Sequence, residues 1–307
     1  MNAVAPNSLI NLDVCVLNAL EHFIREGLPP VDLGGYSRPL VVGSGNAAAT
    51  GRIILEDRDA VFADESTYQN VLDAVESIDG AILISASGGK NAPGIAQDLQ
   101  NRGLEVRLLT CNRNAAAGQY VDSDKVFVFP HAPEPYTYNT STYMGMILAK
   151  TKEKPQEILD HIENAVNQSL SKLAMPFRAF DAFYFIVPKE FDAIRQMLTT
   201  KFVELFGRRI ARDVFTVEQA KHATTLVPTD NELFVSLGYE NDLWGRYRLN
   251  IPLLSNAGYG AIMAVGYYVI GKIQAAKPPW FKDSVARYCK EAARWFDSAL
   301  PVIVKYA

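Results

Sequence analysis

Short dense apolar runs alternate along this chain with stretches whose apolar positions recur every three or four residues. Leu9, Leu12, Val16, Leu17, Leu20, Phe23 and Ile24 follow helical spacing, and Gly27-Leu-Pro-Pro then stops the helix. The runs at 39–42, 60–63, 81–85, 105–110 and 125–129 read as strands. The stretches 46–55, 67–78 and 93–102 between them read as helices. The run 81–85 is apolar almost throughout, which predicts a central strand buried on both faces. Helices are expected at 143–150 and 155–173.

A second, shorter round follows a junction at 175–181. It has strands at 182–187, 232–237 and 253–255, helices at 190–206, 218–222 and 258–274, and a closing helix at 283–305 that Pro301 should kink. Strand–helix alternation of this kind predicts the α/β class. Two doubly wound units are expected, each a mainly parallel sheet flanked by helices. The division expected is 1–174, with the N-terminal helix, and 175–307, with the C-terminal helix.

Two segment pairs repeat in the same order. Ala81-Ile-Leu-Ile-Ser-Ala-Ser-Gly resembles Leu233-Phe-Val-Ser-Leu-Gly, and Asn139-Thr-Ser-Thr-Tyr-Met-Gly-Met resembles Asn256-Ala-Gly-Tyr-Gly-Ala-Ile-Met. Either match alone is within chance. Both in one order favour duplication of a single α/β unit.

The chemistry is concentrated where two runs break off. The strand at 39–42 ends in Gly43, Ser44, Gly45 and Asn46, and the strand at 81–85 ends in Ser85, Ala86, Ser87, Gly88, Gly89 and Lys90. A strand that stops at Gly and Ser before a helix presents backbone N–H groups and hydroxyls at one sheet edge, an arrangement suited to phosphate. Lys90 would add a positive charge. A small-residue turn that merely lets a helix pack closely would look the same. Gly43-Ser-Gly-Asn is not the dinucleotide fingerprint, because Ala48 stands at its last position; Asp64 or Glu65 could still serve as the acid that a nicotinamide site wants.

The remaining composition mostly excludes. A formal charge of −4 without basic clusters argues against nucleic acid. The apolar stretch 258–273 is short and glycine-rich for a membrane span. Cys15, Cys111 and Cys289 are too scattered for a metal site or a disulfide framework, which suits a reducing cytoplasm. The first residues lack the basic and apolar regions of a signal peptide. No two of the four histidines have metal-ligand spacing, so neither metal nor cofactor is expected. His22 and His161 sit in amphipathic helices, and His131 lies in a proline-rich loop after a strand.

The G-x-G loop, the I-S-x-S-G strand end, the tandem arrangement and the length together resemble the sugar isomerase (SIS) family. Within it they resemble the double-SIS phosphosugar isomerases, particularly the bifunctional phosphoglucose/phosphomannose isomerases. The resemblance covers most of the chain and is more specific in the first half. It implies a sugar phosphate as ligand and a homodimer as assembly. Its phosphate contacts would be Gly43, Ser44, Gly45 and Asn46 on one loop, and Ser85, Ser87, Gly88, Gly89 and Lys90 on the other.

The resemblance further implies a sugar-phosphate isomerase, an intramolecular oxidoreductase that needs no metal. Glu204 would move a proton between C1 and C2, His222 would open the ring, and Lys305 would complete the site. Asn139, Thr140 and His131 would be further substrate contacts. Read without the family, Glu204 is equally a solvent-facing helix residue, Asn139 and Thr140 equally a helix cap, and Lys305 a solvated terminal lysine.

Four positions depart from the family pattern. Ala47 and Lys90 replace hydroxyl residues, His222 is followed by Ala223 instead of Gly, and the segment Pro133-Glu-Pro-Tyr-Thr-Tyr lacks an arginine. Phosphate binding survives these changes better than one particular isomerisation. The alternatives are therefore a non-catalytic phosphosugar-binding regulator and an amino-sugar-phosphate deaminase or isomerase.

Overall fold

A computed structural model describes residues 9–223, 227–296 and 298–305. The expectation about a leader falls largely on 1–8, outside the described residues. The chain divides into two compact units, each drawing on two stretches of sequence: 25–152 with 287–307, and 1–24 with 153–286. Both ends of the chain thereby join the unit opposite to the one that a cut at 174/175 would give them.

Helix α1 (Leu12–Glu26) opens the described chain. The first unit then runs β1 (Pro39–Val42), α2 (Asn46–Ile54), β2 (Val61–Ala63), α3 (Tyr68–Ala74), β3 (Gly80–Ile84), α4 (Ala92–Asn101), β4 (Val106–Thr110), β5 (Val126–Val128), β6 (Glu134–Pro135) and α5 (Thr140–Thr151). Strands β1 to β5 form one all-parallel sheet in the order β2-β1-β3-β4-β5. Every residue of β3 is buried, as its unbroken apolar run predicts for a strand paired on both sides.

Strand alternation sends Leu40, Val42, Ala81, Leu83 and Leu108 to one face. There they pack with Ile95, Ala96 and Leu99 of α4 and with Tyr68 of α3. Helix α2 covers the other face, where a Cβ on Gly51 would sit 2.7 Å from Val41. Helix α5 packs on α2.

The second unit contains α6 (Pro155–His161), α7 (Asn167–Ser171), β7 (Ala182–Val187), α8 (Ile194–Phe206), β8 (Ala211–Thr216), α9 (Val217–Ala223), β9 (Glu232–Leu237), β10 (Tyr247–Ile251) and α10 (Tyr259–Ala276). Its sheet is also all parallel, in the order β10-β9-β7-β8. Read from the other side this is β8-β7-β9-β10, which repeats β2-β1-β3-β4.

The two sequence echoes occupy matching places. Strands β3 and β9 are the third strands of their sheets. Helices α5 and α10 each pack on the helix that follows the first strand, α2 or α8. Each also has its N-terminal N–H groups held by a glutamate. Glu134 accepts from Thr140 and Ser141 at 2.8 and 3.2 Å, and Glu153 accepts from Gly258, Gly260 and Ala261 at 2.7, 2.7 and 2.9 Å.

Helix α11 (Trp280–Trp295) ends well before residue 305, and the chain then forms β11 (Ile303–Val304), antiparallel to β6. The closing helix expected at 283–305 is thus shorter; Pro301 lacks the N–H that a continuing helix needs. The fourth strand of the second sheet is β10 at 247–251, not 253–255, and β8 is an additional strand. Both are edge strands with exposed positions, so neither shows a solid apolar run. Among the described residues no helix is long and apolar enough to cross a membrane.

Candidate functional site

In the first sheet β1 connects outward to β2 on one side, and the chain then crosses back to β3 on the other. The strand order therefore reverses between β1 and β3, which pair directly along 39–42 and 80–83. Open α/β sheets bind ligands at the carboxyl ends of the strands flanking such a reversal. The two Ser/Gly endings lie there, side by side.

Residues 43–46 join β1 to α2. Gly45 adopts φ +56°, ψ −121°, a backbone open to glycine, and no side chain caps the helix behind it. Asn46 is buried, and its Oδ1 has no hydrogen-bond partner in the structure. Gly43 lies tight against the first turn of α2; a Cβ there would stand 3.0 Å from the Ala47 carbonyl carbon. With no side-chain cap, the N-terminal N–H groups of α2 are suited to an anion.

Residues 85–90 join β3 to α4. Ser85 Oγ accepts from Gly88 N–H and Ser87 Oγ from Gly89 N–H, both at 3.2 Å. Each hydroxyl keeps its own hydrogen for an outside acceptor. The loop is braced from β4's end, where Asn112 Nδ2 donates to the Ser87 carbonyl at 2.9 Å. Gly88 has φ +58° and sits against Ala115.

Lys90, also left-handed at φ +52°, is directed elsewhere. Its Nζ donates to Tyr136 Oη at 3.1 Å and lies 3.5 Å from the centroid of the Phe296 ring. Desolvation by these rings holds its pKa below the usual lysine value.

His131 lies just beyond β5, with its side chain buried. Its Nδ1 is 3.2 Å from Thr142 Oγ1 and 3.3 Å from Ser141 Oγ, and its Nε2 is 3.3 Å from the Val304 carbonyl oxygen. Ser141 Oγ donates to Glu134 at 2.8 Å. This network pins β11 to the start of α5. Asn139 is the left-handed residue ahead of α5, Thr140 is buried in its first turn, and Lys305 is exposed directly after β11. Sequence reading had no signal for Glu134 as the helix cap, because its donors lie across a turn and not at the N-cap position.

Burial lowers the pKa of His131, opposed by Glu134 and the Val304 carbonyl. A histidine whose folded pKa lies below its unfolded value near 6.5 takes up a proton more readily when unfolded. Its contribution therefore weakens stability as pH falls below about 6.5. His131→Asn should flatten the dependence of melting temperature on pH between 5 and 7, checked by thermal denaturation across that range.

In the second unit Glu204 sits in the last turn of α8, where Lys201 Nζ donates to its Oε2 at 2.7 Å. Lys201 is fully buried, and its ammonium lies 5.2 Å from the Tyr267 ring. Burial raises the Glu204 pKa, and the Lys201 charge and hydrogen bond oppose that rise. Sequence reading missed Lys201, since a lysine three residues before a glutamate is ordinarily a solvated helix pair.

His222 is exposed on α9. Helices α8 and α9 cover opposite faces of the second sheet. Phe202 of α8 meets Phe183 and Phe185, whereas Ala220 of α9 meets Tyr184, Ile186 and Phe234. Glu204 and His222 therefore stand on different sides of one sheet, a separation that their spacing in sequence conceals.

No protein-family model and no curated protein sequence matches the chain. Solved structures do. The C-terminal domain of glucosamine-fructose-6-phosphate aminotransferase from Francisella tularensis matches with TM-score 0.62 at 11% identity, over 90% of this chain and 98% of that chain. Tagatose-6-phosphate ketose/aldose isomerase from Escherichia coli matches with TM-score 0.57 at 14% identity, over 88% and 89%. Glucosamine-6-phosphate deaminase from Thermotoga maritima matches with TM-score 0.57 at 15% identity, over 86% and 91%. At these identities the matches establish the fold: α/β, with two parallel sheets flanked by helices.

Proposed function

We propose that this chain is a cytoplasmic enzyme that binds a sugar phosphate at the carboxyl ends of β1 and β3 and interconverts its aldose and ketose forms. One observation carries the reading: two Ser/Gly strand endings adjoin at the point where the strand order reverses. The phosphate would accept from Ser85 Oγ, Ser87 Oγ and the N–H groups that open α2, with Gly43, Gly88 and Gly89 giving close backbone approach. Solved structures of a ketose/aldose isomerase and of a deaminase with this fold support a phosphorylated sugar as the ligand class.

Isomerisation then needs one base. Glu204 would take the proton from C2 of the open-chain aldose, leaving an enediolate, and return it to C1 as the hydroxyl proton moves from O2 to O1. A raised pKa makes its carboxylate the stronger proton acceptor. His222 would open the ring, and Lys305 would steady the enediolate oxygen. Glu204 and His222 lie on opposite faces of one sheet, and a homodimer in which two copies contribute to one site belongs to the proposal.

A binding-only regulator is the second reading. It is favoured by the engagement of Lys90 with Tyr136 and Phe296. Ammonia release from glucosamine 6-phosphate would mark the deaminase reading instead.

Thermal denaturation with a panel of sugar phosphates and their free sugars tests the proposal. A ligand at a hundred times its Kd adds about 2.7 kcal/mol to stability. The expected result is a rise with a phosphosugar, none with the free sugar, and loss of the rise in Ser85→Ala/Ser87→Ala. A phosphosugar that raises stability without turning over favours the regulator. No response to any phosphosugar would sink both.

A further inference from the structure

The second sheet has its own reversal point, between β7 and β9, and a different site stands there. We propose that this crevice binds an organic ammonium ion carrying hydroxyl groups, at a site separate from the phosphate loops.

A cavity of about 600 Å³ opens at the carboxyl ends of these strands, within the size range of small-molecule sites. Its walls are Pro188, Phe191 and Tyr239, and its rim carries Glu190, Glu240 and Ser255. No lysine, arginine or histidine is among its lining residues. Its lining thus differs in charge from the phosphate loops: it carries two carboxylates and two aromatic rings.

The walls are fixed in place. Phe191 packs edge-on against Tyr259 at 5.3 Å, and Tyr259 Oη donates to the Glu190 carbonyl at 3.0 Å. Asn250 forms a rigid side, its Oδ1 accepting from Ser236 Oγ at 2.6 Å and from Asn241 N–H at 3.2 Å. Gly238, at φ +68°, forms part of the floor; a Cβ there would stand 2.8 Å from Leu253.

An anion is poorly served here. The N–H groups at the start of the neighbouring α10 are already held by Glu153, and both free charges on the lining are negative. An ammonium ion gains from both carboxylates and from an aromatic lining that includes Tyr239 and Phe191. The Ser255 hydroxyl suits a hydroxylated partner. The two sheets thus share one topology, and the lining of their crevices differs in charge.

The probes are 2-amino-2-deoxyglucose and glucose, which match in shape and differ in charge. Calorimetric titration of the full chain at low salt should give one equivalent of the amino sugar bound at least tenfold more tightly than glucose. Binding should weaken tenfold or more in Glu190→Gln/Glu240→Gln and in Tyr239→Ala, and persist in Ser85→Ala/Ser87→Ala and with excess inorganic phosphate. Equal binding of glucose, no binding at millimolar concentration, competition by phosphate, or full binding by the glutamine variant would each overturn the proposal. The wild-type comparison of the two sugars stands even if a variant fails to fold. The phosphosugar reading fails separately, by silence of the phosphorylated panel.

Discussion

Replacing Lys201 by methionine should cost about 3 kcal/mol of unfolding free energy, near the lower end of what breaking a buried ion pair costs. The lower end applies because Glu204 retains 22% side-chain exposure, whereas Lys201 has none. Removing the ammonium leaves the carboxylate in a site that already raises its pKa. The sign of the pH dependence follows. A carboxyl group whose folded pKa exceeds its unfolded value near 4.5 binds protons more readily when folded, so it loses stability as pH rises above that value.

Lys201→Met should therefore differ most from wild type at neutral pH and approach it below about pH 4.5. Lys201→Met/Glu204→Leu should recover most of the loss, because no buried charge is left unpaired. Urea unfolding of the wild type, both single variants and the double variant at pH 7 and pH 4 measures this coupling. A full loss that persists at pH 4 would assign Lys201 to packing instead. If the proposed isomerisation holds, Glu204→Gln should also lower turnover by a factor of about 10²–10⁴, the usual worth of one general base.

Gly88→Ala should be the most damaging single change in the phosphate loops. Its φ of +58° costs an L-residue about 1–2 kcal/mol. Its new Cβ would fall 2.3 Å from Ala115 Cβ and 3.3 Å from Ala115 Cα, so a packed segment must shift, which adds about 1–3 kcal/mol. The expected loss is roughly 2–5 kcal/mol, together with loss of phosphosugar stabilisation, since the turn that sets Ser85 and Ser87 is displaced. Gly89→Ala is the control. Its Cβ meets only Ser87 Oγ at 3.6 Å and its φ is not positive, so stability should change by less than about 0.5 kcal/mol. Equal loss in the two variants would show that close approach at Gly88 is not what holds the loop.

The Lys90 geometry shows how a sequence reading is redirected by folding. A lysine after a serine–glycine turn reads as a phosphate contact, because neighbours in sequence are assumed to be neighbours at the site. Phe296 arrives from more than two hundred residues away and offers a ring face, and Tyr136 offers a hydroxyl. The His131 network has the same origin, since it is closed by the carbonyl of Val304. Neither partner is visible in the local pattern.

The sequence by itself determined the α/β class, the parallel sheets and the two strand endings that carry the candidate chemistry. Those follow from local causes: continuous apolar runs for strands buried on both faces, and glycine where the backbone must turn left-handed. It also held an internal echo, because β3 and β9, third in their sheets, are both apolar runs followed closely by Ser and Gly. Tertiary structure alone decided the rest. The edge strands β8 and β10 are half exposed, so pairing and not composition defines them. Which side of a sheet a helix covers depends on the handed crossover that carries it there, and that choice put Glu204 and His222 on opposite faces. The burial of Lys201 and the charge of the second crevice likewise depend on which residues long-range packing brings together, information that spacing along one chain does not hold.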